Sequence, residues 1–230
     1  MIRNDRVVWG SCMVACGDAD AMVTGNTRRY GQSLDKITKI IDPRPGEIMF
    51  GLNMVVNKGR TVFIGDTNVH EYPTSEQLAQ IAISTARVVR LFGFDPKIAF
   101  LSHSTFGQPL TSRTKHIRDA VSILKEKKVN FKFDGDMQPD VALNEEYKEL
   151  YPFSDIVGNA NVLIMPGQHS AAISHKIMKT LGGAKVIGPL LIGLGGAIEI
   201  APLRSSTSDI LNLASIAAYS AAVIDYNSKN

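Results

Sequence analysis

Four short polar clusters, each directly after an apolar run, hold most of the side chains here that could do chemistry. They are Asp66-Thr67-Asn68, Ser102-His103-Ser104-Thr105, Asp134-Gly135-Asp136-Met137-Gln138 and Pro166-Gly167-Gln168-His169-Ser170. A fifth cluster, Thr24-Gly25-Asn26-Thr27, is followed at once by Arg28 and Arg29. Hydroxyls, amides and backbone N–H groups in such places donate hydrogen bonds to an anion, and guanidiniums add charge and bidentate geometry. The set suits a phosphate-bearing small molecule better than redox chemistry. Residues 24–29 suit an ordinary solvated loop with surface arginines equally well. His103 sits between hydroxyls, but no carboxylate lies nearby in sequence to orient it, so a loop hydrogen-bonder is the better reading. Asp134 and Asp136 lack the spacing and the later glutamate of a calcium loop and read as turn formers. Gly193-Leu194-Gly195-Gly196 lacks the GxGxxG spacing of a dinucleotide site and reads as a tight turn. No metal site is expected.

The elements that must position these clusters are legible in the hydrophobic pattern. Thr61-Val62-Phe63-Ile64 is too continuous for a strand with one wet face and suits a strand buried on both faces of a parallel sheet. After the polar turn, Thr74 and Gln77 form a capping box, and Leu78, Ile81, Ala82, Thr85, Val88, Val89 and Phe92 make one apolar helical stripe that Gly93 ends. This is a strand, a polar turn and a crossover helix, so the turn lies at the carboxyl end of the strand, where open α/β sheets bind ligands. By the same reasoning residues 21–23, 48–56, 97–101, 130–133, 161–165 and 185–192 read as strands. Residues 5–16, 33–41, 114–127, 144–150 and 173–181 read as helices. Ser206 and Asp209 cap a last helix whose buried stripe is Ile210, Leu213, Ala214, Ala217 and Ala221.

Composition excludes several classes. The 230 residues are 44% hydrophobic, enough for a packed core, and the net charge is a mild +3. The basic residues are spread out apart from Lys125-Glu126-Lys127-Lys128, with no dense basic face interleaved with aromatics, so no nucleic-acid partner is expected. Cys12 and Cys16 are too few for a disulfide scaffold or a metal site, and a reducing cytoplasm follows. The polar start, Met1 to Arg6, is no signal peptide. The longest apolar run, residues 186–198, is broken by Gly188, Pro189, Gly193, Gly195 and Gly196. It falls short of the ~20 residues of a membrane helix, so a soluble protein without a membrane partner is expected. Asp42-Pro43-Arg44-Pro45-Gly46 breaks the chain and is a candidate lobe boundary.

Five motifs occur in an order and spacing that resemble the phosphate acetyl/butyryl transferases (phosphotransacetylases). They are Ala19-Asp20-Ala21-Met22-Val23-Thr24-Gly25, Asp66 and Asn68 with Pro73-Thr74-Ser75-Glu76-Gln77-Leu78, Leu101-Ser102-His103-Ser104-Thr105, Gly158-Asn159-Ala160-Asn161-Val162, and Leu181-Gly182-Gly183-Ala184 with Ile187-Gly188-Pro189. The resemblance spans nearly the whole chain. It implies a two-lobe α/β fold of mainly parallel sheets flanked by helices, with residues 1–45 and 198–230 in the first lobe and 46–197 in the second. Met1 falls inside the first lobe of that pattern, so the amino-terminal part of the lobe is expected to be missing. It further implies a cleft for coenzyme A and acetyl phosphate, and a homodimer or larger homo-oligomer.

The departures from the family pattern concern charge. Asp209 matches the family aspartate, but the Ser-Arg positions before the last helix hold Pro202 and Leu203; Arg204 and Ser205 substitute only if the loop shifts. A second family arginine falls at Asp35. Thiolate attack on acetyl phosphate needs cations on the developing phosphate charge, so these losses affect catalysis more than nucleotide binding. The pattern is similar to the phosphotransacetylase-like carboxyl-terminal domain of bacterial NADP-dependent malic enzymes. That resemblance implies an inactive regulatory domain that binds coenzyme A or acetyl-CoA, with NADP and a divalent metal confined to a separate malate-oxidising part. The alternative is an active phosphate acyltransferase. The expected ligand contacts are Thr24, Gly25, Arg28, Arg29, Ser102, Ser104, Thr105, Pro166, Arg204 and Ser205, with no catalytic residue assigned.

Overall fold

Several strands within residues 52–186 begin with a charged residue, among them those opening at Arg60, Lys97 and Lys132. The structure is a computed structural model describing residues 4–66 and 68–229. Its chain divides into two compact units, residues 52–186 and residues 1–51 with 187–230. Thr67, from the first polar cluster, lies outside the described residues.

The larger unit is built on a six-stranded sheet. The strands are β2 (Phe50–Asn57), β3 (Arg60–Gly65), β4 (Lys97–Leu101), β5 (Lys132–Met137), β6 (Val162–Ile164) and β7 (Lys185–Ile192), in the order β5-β4-β6-β3-β2-β7. β2 and β7 carry the chain across the boundary between the units. β3, β6, β4 and β5 run parallel, whereas β2 and β3 form an antiparallel hairpin. Residues 61–64 are thus a strand of a mainly parallel sheet, as expected, with β2 added antiparallel on one side. The cause is local: Lys58 (φ 48°) and Gly59 (φ 77°) take the left-handed geometry that a two-residue hairpin turn requires. Helices cover both faces. α3 (Ser75–Leu91) and α4 (Ser112–Glu126) pack on one, and α3 begins with the reciprocal Thr74–Gln77 capping box. α5 (Pro139–Leu143) and α6 (Gln168–Thr180) follow β5 and β6, and Val141, Ala142 and Ala171 join Ile64, Ala99, Leu101 and Met137 in one core cluster. Phe63, Phe100, Ile64 and Ile98 are wholly buried, each stabilising the fold by about 1.5–3 kcal/mol.

One expected turn is a strand. Asp134, Gly135 and Asp136 lie inside β5, which starts and ends later than residues 130–133. A Cβ on Gly135 would sit 2.7 Å from Phe100, so only glycine lets β5 close on β4 there. The register slips between Phe100 and Leu101, and the unpaired residue opposite is Asp136. This bulge turns a fully buried carboxylate toward the loop after β4.

The smaller unit pairs β1 (Ala21–Gly25) in parallel with β8 (Ala197–Ala201). β1 is only partly buried along its length, and β8 is a strand the sequence reading did not place. β8 escaped because Glu199 interrupts its apolar run. α1 (Arg6–Cys16) is capped by Asp5 and stopped by Gly17 (φ 80°); its Cys12 and Cys16 are free thiols. α2 (Tyr30–Ile37) starts and ends earlier than residues 33–41. α7 (Thr207–Lys229) opens on the reciprocal Ser206–Asp209 cap and packs on β1 and β8. Its buried stripe is narrower than expected: Leu213 and Ala217 are buried, but Ala214 is exposed. Leu211 and Tyr219 also face outward. Over Thr207–Ile224, α7 is long and apolar enough to cross a membrane by length and composition, a stretch the sequence reading had not singled out.

Candidate functional site

The carboxyl ends of β3, β4 and β6 enclose a pocket of about 760 Å³ in the larger unit. Leu101, Ser102 and His103 enter it from the end of β4, and Met165, Pro166 and Gly167 from the end of β6. Residues 71–76, which lead from β3 into α3, close one side; His116 of α4 and His169, Ser170 and Ser174 of α6 complete it.

Two devices hold the wall after β3 in place. Asp66 turns the chain with a left-handed backbone (φ 44°) and is almost completely buried. Its carboxylate accepts the N–H of Val69 at 3.1 Å and of His70 at 2.9 Å, and it pairs with Nδ1 of His70 at 2.5 Å. Across the pocket, a Cβ on Gly167 would stand 2.7 Å from the carbonyl oxygen of Glu71, so any side chain there would push the two walls apart. α6 starts just after Gly167 with no side-chain cap, which leaves its first N–H groups for other acceptors.

The expected donors after β4 separate into a wall and a support. Ser102 lines the pocket. Its Oγ lies 3.1 Å from Ser104 Oγ and accepts the N–H of Ser104 at 3.3 Å. Ser104 is fully buried and donates to Asp136, whose other oxygen accepts the N–H of Gly107 at 3.1 Å. Thr105 Oγ accepts the N–H of Gln138 at 3.2 Å, and Gln138 Nε2 donates to the carbonyl of His103 at 2.8 Å. Ser104, Thr105 and Asp136 therefore hold the loop, and Ser102 presents a hydroxyl. Because Ser104 donates its proton to a carboxylate, its oxygen is free to accept from Ser102. That leaves Ser102, which also accepts the N–H of Ser104, one lone pair for a ligand donor.

The charge of this pocket is unusual for an anion site. Its lining includes no lysine and no arginine among the described residues, only His103, His116 and His169 with Glu71 and Glu76. Glu76 is held below the usual carboxylate range by its own N–H at the start of α3 and by the Thr74 hydroxyl. His169 Nε2 is 3.8 Å from Glu71, with both side chains exposed. Among the described residues no group of three His, Cys, Asp or Glu side chains could hold a metal ion.

In the smaller unit a second pocket, of about 480 Å³, takes Thr24, Gly25 and Arg28 together with Arg6 and Asn26. Gly25 is required there: its φ is 107°, and a Cβ would lie 2.3 Å from the carbonyl oxygen of Ala201. Arg28 Nη1 stands 3.3 Å from Asp5, which also pairs with Lys36. The hydrogen bond from Lys36 is the main cause that pushes the Asp5 carboxyl down to about 2. Arg29 is the N-cap residue of α2 and stays out of this wall. Arg204 is exposed and left-handed (φ 62°), donating its N–H to Asn26 O at 3.4 Å, while Ser205 Oγ donates to Pro202 O at 2.8 Å. Neither lines the pocket. Asp209, the match to the family aspartate, accepts from Ser206 at the start of α7.

Sequence reasoning thus found Ser102 and Pro166 of one pocket and Thr24, Gly25 and Arg28 of the other. It missed Glu71, His116 and Ser174, which carry no local signal because they lie mid-helix or in an unremarkable loop.

A mixed sheet flanked by helices, with a pocket at the carboxyl ends of its parallel strands edged by an open helix terminus, defines an α/β domain with a strand-end pocket. The chain belongs to the phosphate acetyl/butaryl transferase family, which matches residues 1–218. It is 48% identical over 221 residues to the NADP-dependent malic enzyme of Rhizobium meliloti (strain 1021), covering 96% of this chain and 29% of that protein. It is 32% identical over 222 residues to the phosphate acetyltransferase of Nitratidesulfovibrio vulgaris (strain Hildenborough), covering 96% of this chain and 32% of that one. The solved phosphotransacetylase from Streptococcus pyogenes superposes with a TM-score of 0.88 at 32% identity, over 94% of this chain and 67% of that chain. The chain spans only about three tenths of the length of the first curated relatives it matches.

Proposed function

We propose that this chain is a phosphotransacetylase-like regulatory domain that binds acetyl-CoA without turning it over, within a parent NADP-dependent malic enzyme. The observation that carries the reading is the missing cation: the 760 Å³ pocket has hydroxyls, histidines and an uncapped helix start, but no lysine or arginine in its described lining. Such a wall supports binding of a thioester and a phosphate ester. Transfer of an acyl group to phosphate concentrates charge on oxyanions, and preorganised cations there are worth several kcal/mol of barrier. In the smaller unit, Arg28 already faces Asp5 and Arg204 faces solvent, which supports the same reading.

The rest of the proposal follows from the parent. NADP, a divalent metal and the oxidative decarboxylation of malate belong to the remainder of the malic enzyme, in the cytoplasm. Acetyl-CoA acts by preferring one of two conformations of that parent, because only differential affinity shifts an equilibrium. The exposed Leu211 and Tyr219 of α7 support self-association as a homodimer or larger homo-oligomer. A second reading, an active phosphate acyltransferase, is favoured by the likeness to the Nitratidesulfovibrio and Streptococcus proteins.

Two measurements separate them. Titration of the chain with acetyl-CoA should give saturable heat, and mixing it with coenzyme A and acetyl phosphate should give no thioester above background. Robust thioester formation by the full-length parent would establish the acyltransferase instead, and no heat at all would remove both readings.

A further inference from the structure

The opposite end of the six-stranded sheet carries its own set of cations. β3 starts at Arg60, β4 at Lys97 and β5 at Lys132, and these strands are parallel, so all three residues stand at the amino rim. Lys97 and Lys132 are register partners on adjacent strands. Like charges facing each other across a ladder destabilise it. The dipole of a helix end accounts for Lys125 and Lys127 at the close of α4, but Lys97 and Lys132 are on strands.

Arg60 is occupied, donating to the carbonyls of Leu143 at 2.6 Å and Ala160 at 3.0 Å. The lysines are held more loosely. With Lys148 they line a pocket of about 270 Å³ whose wall also includes Tyr151, Ser154, Asn159 and one carboxylate, Asp155. Lys97 makes no ion pair among the described residues. Lys132 meets Asp155 at 3.1 Å, but the two side chains are 57% and 78% exposed, and Lys148 meets Glu145 at 3.4 Å across a similarly wet pair. Exposed pairs of this kind are worth about 0–1 kcal/mol and give way to a better anion. Ser154 is buried, and its Oγ accepts the N–H of Ile156 at 3.4 Å while keeping its own proton to donate.

We propose that this rim pocket is a second, independent site for a small phosphate-type anion. Its volume is that of roughly nine liquid waters, which suits an inorganic diphosphate or a terminal phosphoryl group and is too small for a whole nucleotide. Lys97 supplies the unpaired charge, Lys132 and Lys148 turn from their carboxylates to the ligand, and Ser154 and Asn159 add neutral donors. The site does not depend on what the pocket at the other end of the sheet binds.

Calorimetric titration of the 230-residue chain with sodium diphosphate at constant ionic strength tests it. Saturable binding is expected, weakened about tenfold or more in Lys97→Met and in Lys132→Met, and unchanged in Lys115→Met, whose exposed lysine on α4 pairs with Asp119. Lys132 is exposed, so its variant keeps the test valid if Lys97→Met folds poorly. Two results overturn the site: no saturable binding in the wild-type chain, or an equal loss in Lys115→Met. Parallel titration with inorganic phosphate and with ADP identifies the source. ADP binding that is lost in Lys97→Met assigns the anion to a nucleotide's terminal phosphate; binding of diphosphate and phosphate alone assigns it to the free ion.

Discussion

The two units of this protein bury polar chemistry in opposite ways. In the larger one, Asp136 is fully buried, but each of its oxygens has a donor and the carboxylate fixes the loop that carries Ser102. In the smaller one, Glu199 is equally sequestered within β8, and the N–H of Leu191 at 3.0 Å is its recorded donor. Burial pushes that carboxyl up to about 8, so it is mostly protonated at neutral pH. Around Asp136 stands a sheet covered on both faces. Around Glu199 stands a parallel pair of strands, β1 and β8. The difference teaches that a buried carboxylate braces a loop where each of its oxygens has a donor, and becomes a titrating weakness where only one does.

Four changes test that contrast. Phe100→Ala removes a wholly buried ring from the larger core and should cost about 3–5 kcal/mol in urea unfolding. Hydrogen exchange should rise over residues 97–101 and 162–164, while residues 21–25 and 197–201 exchange as before. Equal rises in both would erase the distinction. For Glu199 the folded protein holds a proton that the unfolded chain releases near 4.5, so stability must fall as pH rises from about 5 to 8. The loss is at most about 4 kcal/mol over that window at about 1.4 kcal/mol per pH unit, and Glu199→Gln should flatten the slope. A wild-type curve already flat across the window would refute it.

Asp136→Ala strips the acceptor from Ser104 and Gly107 and should destabilise by about 2–3 kcal/mol. It should also weaken the proposed binding of acetyl-CoA, because Ser102 loses its support. Retained affinity in a folded variant would show that the loop does not depend on the bulge. Smallest in stability is Leu211→Glu, within about 0.5 kcal/mol because that side chain is 65% exposed. If α7 mediates the proposed self-association, this variant should nonetheless shift sedimentation toward the monomer, and unchanged sedimentation would exclude this face of α7 from that role.

Local rules carried much of the fold. The Thr74–Gln77 and Ser206–Asp209 caps are reciprocal as their spacing requires, since a capping box involves only groups within one turn. β4 and β7 were legible at full length because an apolar run between polar residues needs no partner to be recognised. β8 and the inner part of β5 were not. Each contains an acid that interrupts the apolar pattern, and each is a strand because a neighbour accepts it: β1 beside β8, and Phe100 against Gly135. Of the site, Ser102 and Pro166 were legible as strand-end residues. His116 and Ser174 were not, since nothing in a helix's own sequence says which pocket its middle turns meet.

By itself the sequence determined the α/β class, the family and the places where strands end in polar residues, because these depend on periodicity and short-range hydrogen bonding. Only the tertiary structure decided that Ser102 faces a pocket while Ser104 and Thr105 brace it, and that Arg28 faces Asp5. It also decided that three strand-opening cations share one rim. Those outcomes depend on register between strands distant in sequence, and register is settled by the packing of the whole sheet.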